Sequence, residues 1–74
     1  MPEDNIPEEP SFTPHQWAVL DILRKSQRPI TANFIKKRIR MSWHTADKTL
    51  NELFKLGYVK YRETRGGTKY WKLI

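Results

Sequence analysis

The stretch from Ser42 to Gly57, SWHTADKTLNELFKLG, specifies both ends of one helix, and the rest of the chain must be arranged around it. Ala46, Leu50 and Leu53 recur at helical spacing and give the helix an apolar stripe, which Leu56 would extend. Ser42 is the expected N-cap, because its hydroxyl can accept a bond from an orphan backbone N–H. Gly57 suits the left-handed position just past the helix end, where a side chain would clash. The opposite face and first turn carry His44, Thr45, Asp47, Lys48, Asn51 and Lys55. These groups have the reach and chemistry to meet phosphates or base edges. An ordinary surface helix with a solvated polar face would show the same pattern, so the stretch alone has two readings.

Upstream, Thr13, Pro14 and Gln16 spell a capping box with proline at the first helical position. Phe12 and Trp17 stand at the two positions of a hydrophobic staple. The first helix should run to about Ser26, with Trp17, Val19, Leu20, Ile22 and Leu23 forming a core-facing side. Pro29 and Ile30 read as extended, a short strand that can pair with a later hairpin. Thr31 can cap a second helix over about Ala32–Ile39, where Ile35 and Ile39 lie one turn apart beside Phe34. Lys36, Lys37, Arg38 and Arg40 give that helix a basic end, which either contacts phosphates or is simply solvated. Arg40 and Met41 make the turn into the third helix, with Met41 packed inside.

After Gly57 the pattern becomes extended. Tyr58–Glu63 and Thr68–Ile74 are rich in aromatic and β-branched residues, with Arg65-Gly66-Gly67 between them. Pairing Thr64 with Thr68 leaves a three-residue loop with glycine at the position that needs positive φ. That register sets Val59 opposite Leu73 and Tyr61 opposite Trp71, all four facing the core. Tyr58, Lys60, Arg62, Tyr70, Lys72 and Ile74 then lie on the other side. A rigid arm with a basic, glycine-containing tip can reach a phosphate or a minor groove.

Residues 1–10, MPEDNIPEEP, hold three prolines and four acids and no base. Such a segment buries too little surface to offset its ordering entropy, so it is expected to be a disordered acidic tail ahead of one domain at 11–74. The remaining residues hold all 14 Lys and Arg against four acids, a formal +10 that the net +6 understates. A surface so basic points to a polyanion, nucleic acid first and anionic membrane second. Solubility alone could also account for it.

At 74 residues the chain is a single small domain, of a size that buries only about 60% of its unfolded surface. It has no cysteine, which excludes disulfides and zinc fingers. His15 and His44 fall on different helices without companion ligands, so no metal or other cofactor is expected. No apolar run reaches the roughly 20 residues of a membrane span, and the N-terminus lacks the regions of a signal peptide. The expected location is intracellular, in cytoplasm or nucleoid. No paired carboxylates, activated nucleophile or phosphate-cradling glycine loop marks an enzyme.

The order helix, short strand, helix, turn, helix and hairpin makes an α+β domain. It resembles the winged helix-turn-helix domain of many bacterial, archaeal and viral transcription regulators. The resemblance rests on the Pro29-Ile30-Thr31 entry, on SWHTADKTLNELFKLGYV with its TLxxLxxxGYV spacing, and on the wing YRETRGGTKYWKL. It implies a third helix in the major groove of double-stranded DNA, presenting Ser42, His44, Thr45, Lys48 and Asn51. It also implies wing contacts from Arg62, Arg65, Thr68 and Lys69, flanked by Lys36, Lys37 and Arg40. Trp43 can either cover the core edge, the favoured reading, or stack on a sugar. One subclass binds left-handed Z-form nucleic acid, and Trp71-Lys72 resembles its wing tryptophan. However, Asp47, Asn51 and Thr68-Lys69 depart from its asparagine, tyrosine and proline pair. Members often dimerise through an added helix that is missing here, so a monomer or weak homodimer is expected. Two other functions remain open: a protein-interaction module using Tyr58, Tyr70 and Ile74, and an RNA or single-strand binder using stacked aromatics.

Overall fold

In a computed structural model, residues 11–74 are described. Residues 1–10, for which disorder is expected, lie outside the described residues. The elements follow in the order α1 (Pro14–Lys25), α2 (Ala32–Arg38), α3 (Trp43–Lys55), β1 (Val59–Glu63) and β2 (Lys69–Leu73).

Each helix begins where its capping chemistry dictates. The Thr13 side chain accepts from the Gln16 N–H, and the Gln16 side chain accepts from the Thr13 N–H, so two orphan donors are satisfied reciprocally. Thr31 Oγ1 accepts from Phe34 N–H and Ser42 Oγ from Thr45 N–H. Gly57 adopts φ +89°, the left-handed conformation that ends α3. The expected helix boundaries hold to within a residue, with Ser26 and Ile39 serving as C-caps.

Val19, Leu23, Ile30, Ala32, Ile35, Ala46, Leu50, Leu53, Val59 and Trp71 form the core. Fully burying one such aliphatic side chain contributes about 1.5–3 kcal/mol, whereas an exposed ion pair contributes about 0–1 kcal/mol. Packing therefore decides this fold. Among the described residues the ion pairs are Arg24–Asp21 at 2.9 Å and Lys25–Asp21 at 3.1 Å. The Arg24 hydrogen bond, and then that from Lys25, hold the exposed Asp21 carboxyl below its ordinary pKa.

The hairpin has the expected register, Val59 opposite Leu73 and Tyr61 opposite Trp71. Thr64 N–H donates to the Thr68 carbonyl at 2.8 Å, and Gly67 takes φ +89° in the loop. Ile30 bridges Trp71 on the free edge of β2 through N–H to O bonds of 2.9 and 2.7 Å. The short extended segment after α1 is thereby joined to the hairpin, as its sequence suggests.

Four side chains depart from expectation. Trp17 is 56% exposed, because the staple holds it edge-to-face on Phe12 (ring centroids 5.1 Å apart) at the surface, not in the core. Leu56 is 58% exposed, since it is the C-cap and the chain turns away at Gly57. Tyr61 lies on the core side of the hairpin yet is only partly covered, by Phe54 and Trp71. Thr49, passed over by a purely apolar reading, is buried among the stripe residues of α3.

Candidate nucleic-acid interface

Helix α3 buries Ala46, Thr49, Leu50 and Leu53. At 3.6 residues per turn, the side farthest from that stripe carries His44, Lys48, Asn51 and Lys55. His44, Lys48 and Lys55 are exposed, and Asn51 is half-buried. Lys55 completes this row, although the resemblance to a known family did not single it out. Its spacing of seven residues from Lys48 was the available signal.

Other candidate groups on α3 are already engaged. Ser42 Oγ accepts from Thr45 N–H at 3.1 Å and donates to Thr45 Oγ1 at 3.0 Å. Both hydroxyls therefore serve the cap before any ligand. Asn51 Nδ2 donates to the Asp47 carbonyl at 2.8 Å. One amide N–H is thus directed along its own helix, which leaves Oδ1 and the second N–H for a bidentate contact.

The side of α3 turned towards the hairpin is aromatic. Phe54 meets Tyr61 and Trp71 edge-on at 5.3 and 6.3 Å, and Tyr61 lies 4.8 Å from Trp71. Lys69 Nζ stands 4.9 Å from the Tyr61 ring centroid and 5.9 Å from that of Trp71. A cation over a ring contributes about 0.5–2 kcal/mol, depending on desolvation. The Phe54 contacts fix the hairpin against α3, and those of Lys69 lie within the hairpin. Trp71 is 1% exposed, so the wing tryptophan of this chain is a core residue.

Between hairpin and helices runs an open groove of about 570 Å³, lined by Thr31, Asn33, Trp43, Asp47, Thr68, Lys69 and neighbouring residues. Trp43 is 51% exposed on its wall instead of covering the core edge. As the first residue of α3, it precedes the buried stripe that starts at Ala46. Asp47 places an acid on the same groove.

Thr68 and Lys69 thus line this groove, and Arg65 is exposed at the hairpin tip. Arg62 stands across the hairpin: its neighbours on that face are Lys60, Tyr70 and Lys72. Lys36 and Lys37 are exposed on α2, and Arg40 is exposed in the turn before α3. The wing positions expected to act together are consequently divided between two faces. Phe34 and Arg38 lie elsewhere, in a groove beside the end of α1, with the guanidinium 5.9 Å from the ring centroid.

No family model and no curated protein matches this sequence. Solved structures do resemble it. The Vibrio cholerae ferric uptake regulator Fur, a protein with DNA-binding domains, superposes with a TM-score of 0.78 at 20% identity. That match covers 86% of this chain and 53% of the regulator. The PcaV transcriptional regulator of Streptomyces coelicolor gives 0.75 at 17% identity, over 85% and 45% of the two chains. The apo-Zalpha of zebrafish PKZ gives 0.71 at 22% identity, over 80% and 89%. The chain spans about half the length of the two regulators. Three helices, an Ile30 bridge and a C-terminal hairpin, together with these superpositions, show that the chain has the winged helix-turn-helix fold.

Proposed function

We propose that this domain binds double-stranded DNA as a small transcription regulator, with α3 in the major groove and the wing on adjacent backbone or minor groove. The observation that carries this reading is the row His44, Lys48, Asn51 and Lys55, outward-facing on a helix whose other side is fixed by four buried residues. Lys48 and Lys55, with Arg65 and Lys69 on the wing and Lys36, Lys37 and Arg40 flanking, supply phosphate contacts and counterion release. His44 and Asn51 read base edges, and a good bidentate pair contributes about 1–3 kcal/mol of discrimination. Ser42 and Thr45 act through the helix N-terminus they cap. Arg62 is left out of this contact because it lies on the wing's other face. The likeness to the regulators Fur and PcaV supports the reading.

The role is binding, not catalysis, and it calls for no cofactor. A DNA partner puts the protein inside the cell, and no helix among the described residues is long and apolar enough to cross a membrane. One module buries roughly 600–1,000 Å² on DNA, which suits a monomer or a weak homodimer formed on the site. A second reading, a protein-docking module, draws on the exposed aromatics Trp17 and Tyr58, which flank Phe12.

Fluorescence anisotropy of labelled random-sequence duplex at about 50 and 200 mM salt tests the proposal. Affinity should fall steeply between the two salts. Absence of binding at the lower salt would overturn the DNA reading and favour the docking module.

A further inference from the structure

The wing has a second basic face, turned away from α3. There Lys60 stands directly opposite Lys72, and Arg62 opposite Tyr70. Because Ile30 bridges Trp71 on the free edge of β2, the preceding Arg28 and Pro29 flank the same face. Together they line an open groove of about 620 Å³. It holds four cations and no acid. The acids among the described residues lie elsewhere: Asp21 with Arg24 and Lys25, Glu52 with Gln16, Asp47 on the other groove, and Glu63 on the Trp71 side of the hairpin.

Like charges placed directly opposite across two strands destabilise a sheet. A face that only had to be solvated would gain nothing from placing Lys60 against Lys72 with Arg28 and Arg62 nearby. An anion bound across them would convert that repulsion into attraction.

The geometry points to a second nucleic-acid site on this outer face of the wing, one that takes a single strand. Alternate residues of a strand lie about 7 Å apart on one face, so Lys60 and Arg62 form a ladder that a flexible phosphodiester chain can follow. Tyr70 is exposed among these cations, and every unpaired base has a π-face to set on it. A duplex keeps its bases stacked inside and would leave Tyr70 without a role. The site shares no residue with the duplex contact proposed for α3, so each stands or falls separately.

The test is anisotropy of a labelled twelve-nucleotide poly-dT strand with the intact chain over a salt series. Four phosphate contacts predict a log–log salt slope of about −3 for a single strand. The double substitution Lys60→Ala/Lys72→Ala should flatten that slope by about 1.4 while leaving duplex affinity nearly unchanged. Tyr70→Ala should weaken strand binding on the order of tenfold or more, with little change in slope. Lys48→Ala/Arg65→Ala should do the reverse, weakening duplex and sparing the strand. All these positions are exposed, and circular dichroism checks that each variant folds. The proposal fails if the strand does not bind. It fails equally if the α3 variant loses strand binding while the outer-face variants keep it.

Discussion

The exposed face of α3 and the outer face of the wing are both basic, yet they are supported differently. Beneath His44, Lys48 and Lys55 lie Ala46, Thr49, Leu50 and Leu53, one or more buried residues in every turn. The wing rests on Val59 and Trp71, with Leu73 and Tyr61 partly covered, and its tip from Arg65 to Gly67 is exposed. Base reading needs side chains held at a fixed register, which a packed helix provides. Phosphate contact tolerates movement, because charge acts over several ångströms. Stability is shared unequally too: one residue, Trp71, joins Ile30, Phe54 and Tyr61.

Removing that residue is the severest way to break the comparison. Trp71→Ala should cost about 3–5 kcal/mol, a large part of the stability of so small a domain. Hydrogen exchange would show whether helices and wing are lost together; helical amides that kept full protection would make the wing a separate unit. Leu50→Ala should cost about 2–5 kcal/mol by opening a cavity under α3. A thermal melt that scarcely moved would contradict its place in the core.

At the level of binding, Lys48→Ala/Arg65→Ala should flatten the duplex salt slope by about 1.8, near 0.9 for each phosphate contact. An unchanged slope would remove those two groups from the interface. Smaller still, Lys72→Thr should stabilise the free protein by about 0.2–1 kcal/mol at low salt by relieving Lys60, and the gain should shrink as salt screens it. Denaturant titrations at two ionic strengths would measure it. Least of all is expected from Asp21→Asn, whose pair is exposed. The lowered folded-state pKa means that its contribution is present above the ordinary carboxylate pKa and fades as the pH falls through the lowered value. A melt at neutral pH that dropped by many degrees would show the pair to matter far more than its exposure allows.

Local chemistry was legible wherever one or two residues decide the outcome. Thr13 with Gln16, Thr31, Ser42 and Gly57 mark helix ends because a cap depends on atoms three residues apart. The hairpin register followed from the glycine loop and the alternation of Val59, Tyr61, Trp71 and Leu73. Less legible were side chains whose surroundings come from distant segments. Trp17, Trp43 and Leu56 are apolar and were assigned to or near the core, but each lies near the end of a helix and stays more than half exposed. Thr49 shows the converse, since Thr is usually exposed and here lies under the packed helices.

The candidate site divides in the same way. Charge excess and the spacing of His44, Lys48 and Asn51 can be read from the chain, because helical period alone puts them on one side. That Asn51 spends an N–H on the Asp47 carbonyl and that Ser42 and Thr45 occupy each other became visible only in three dimensions. So did the separation of Arg62 from Thr68 and Lys69. The sequence by itself determined the elements, their caps, their register and the charge excess of residues 11–74, all of which depend on composition or on residues close along the chain. Tertiary structure decided which aromatics became core, which donors remained available and which cations share a face. Those outcomes depend on how far-apart segments meet, as where the Ile30 bridge brings Arg28 to the groove that Lys72 also lines.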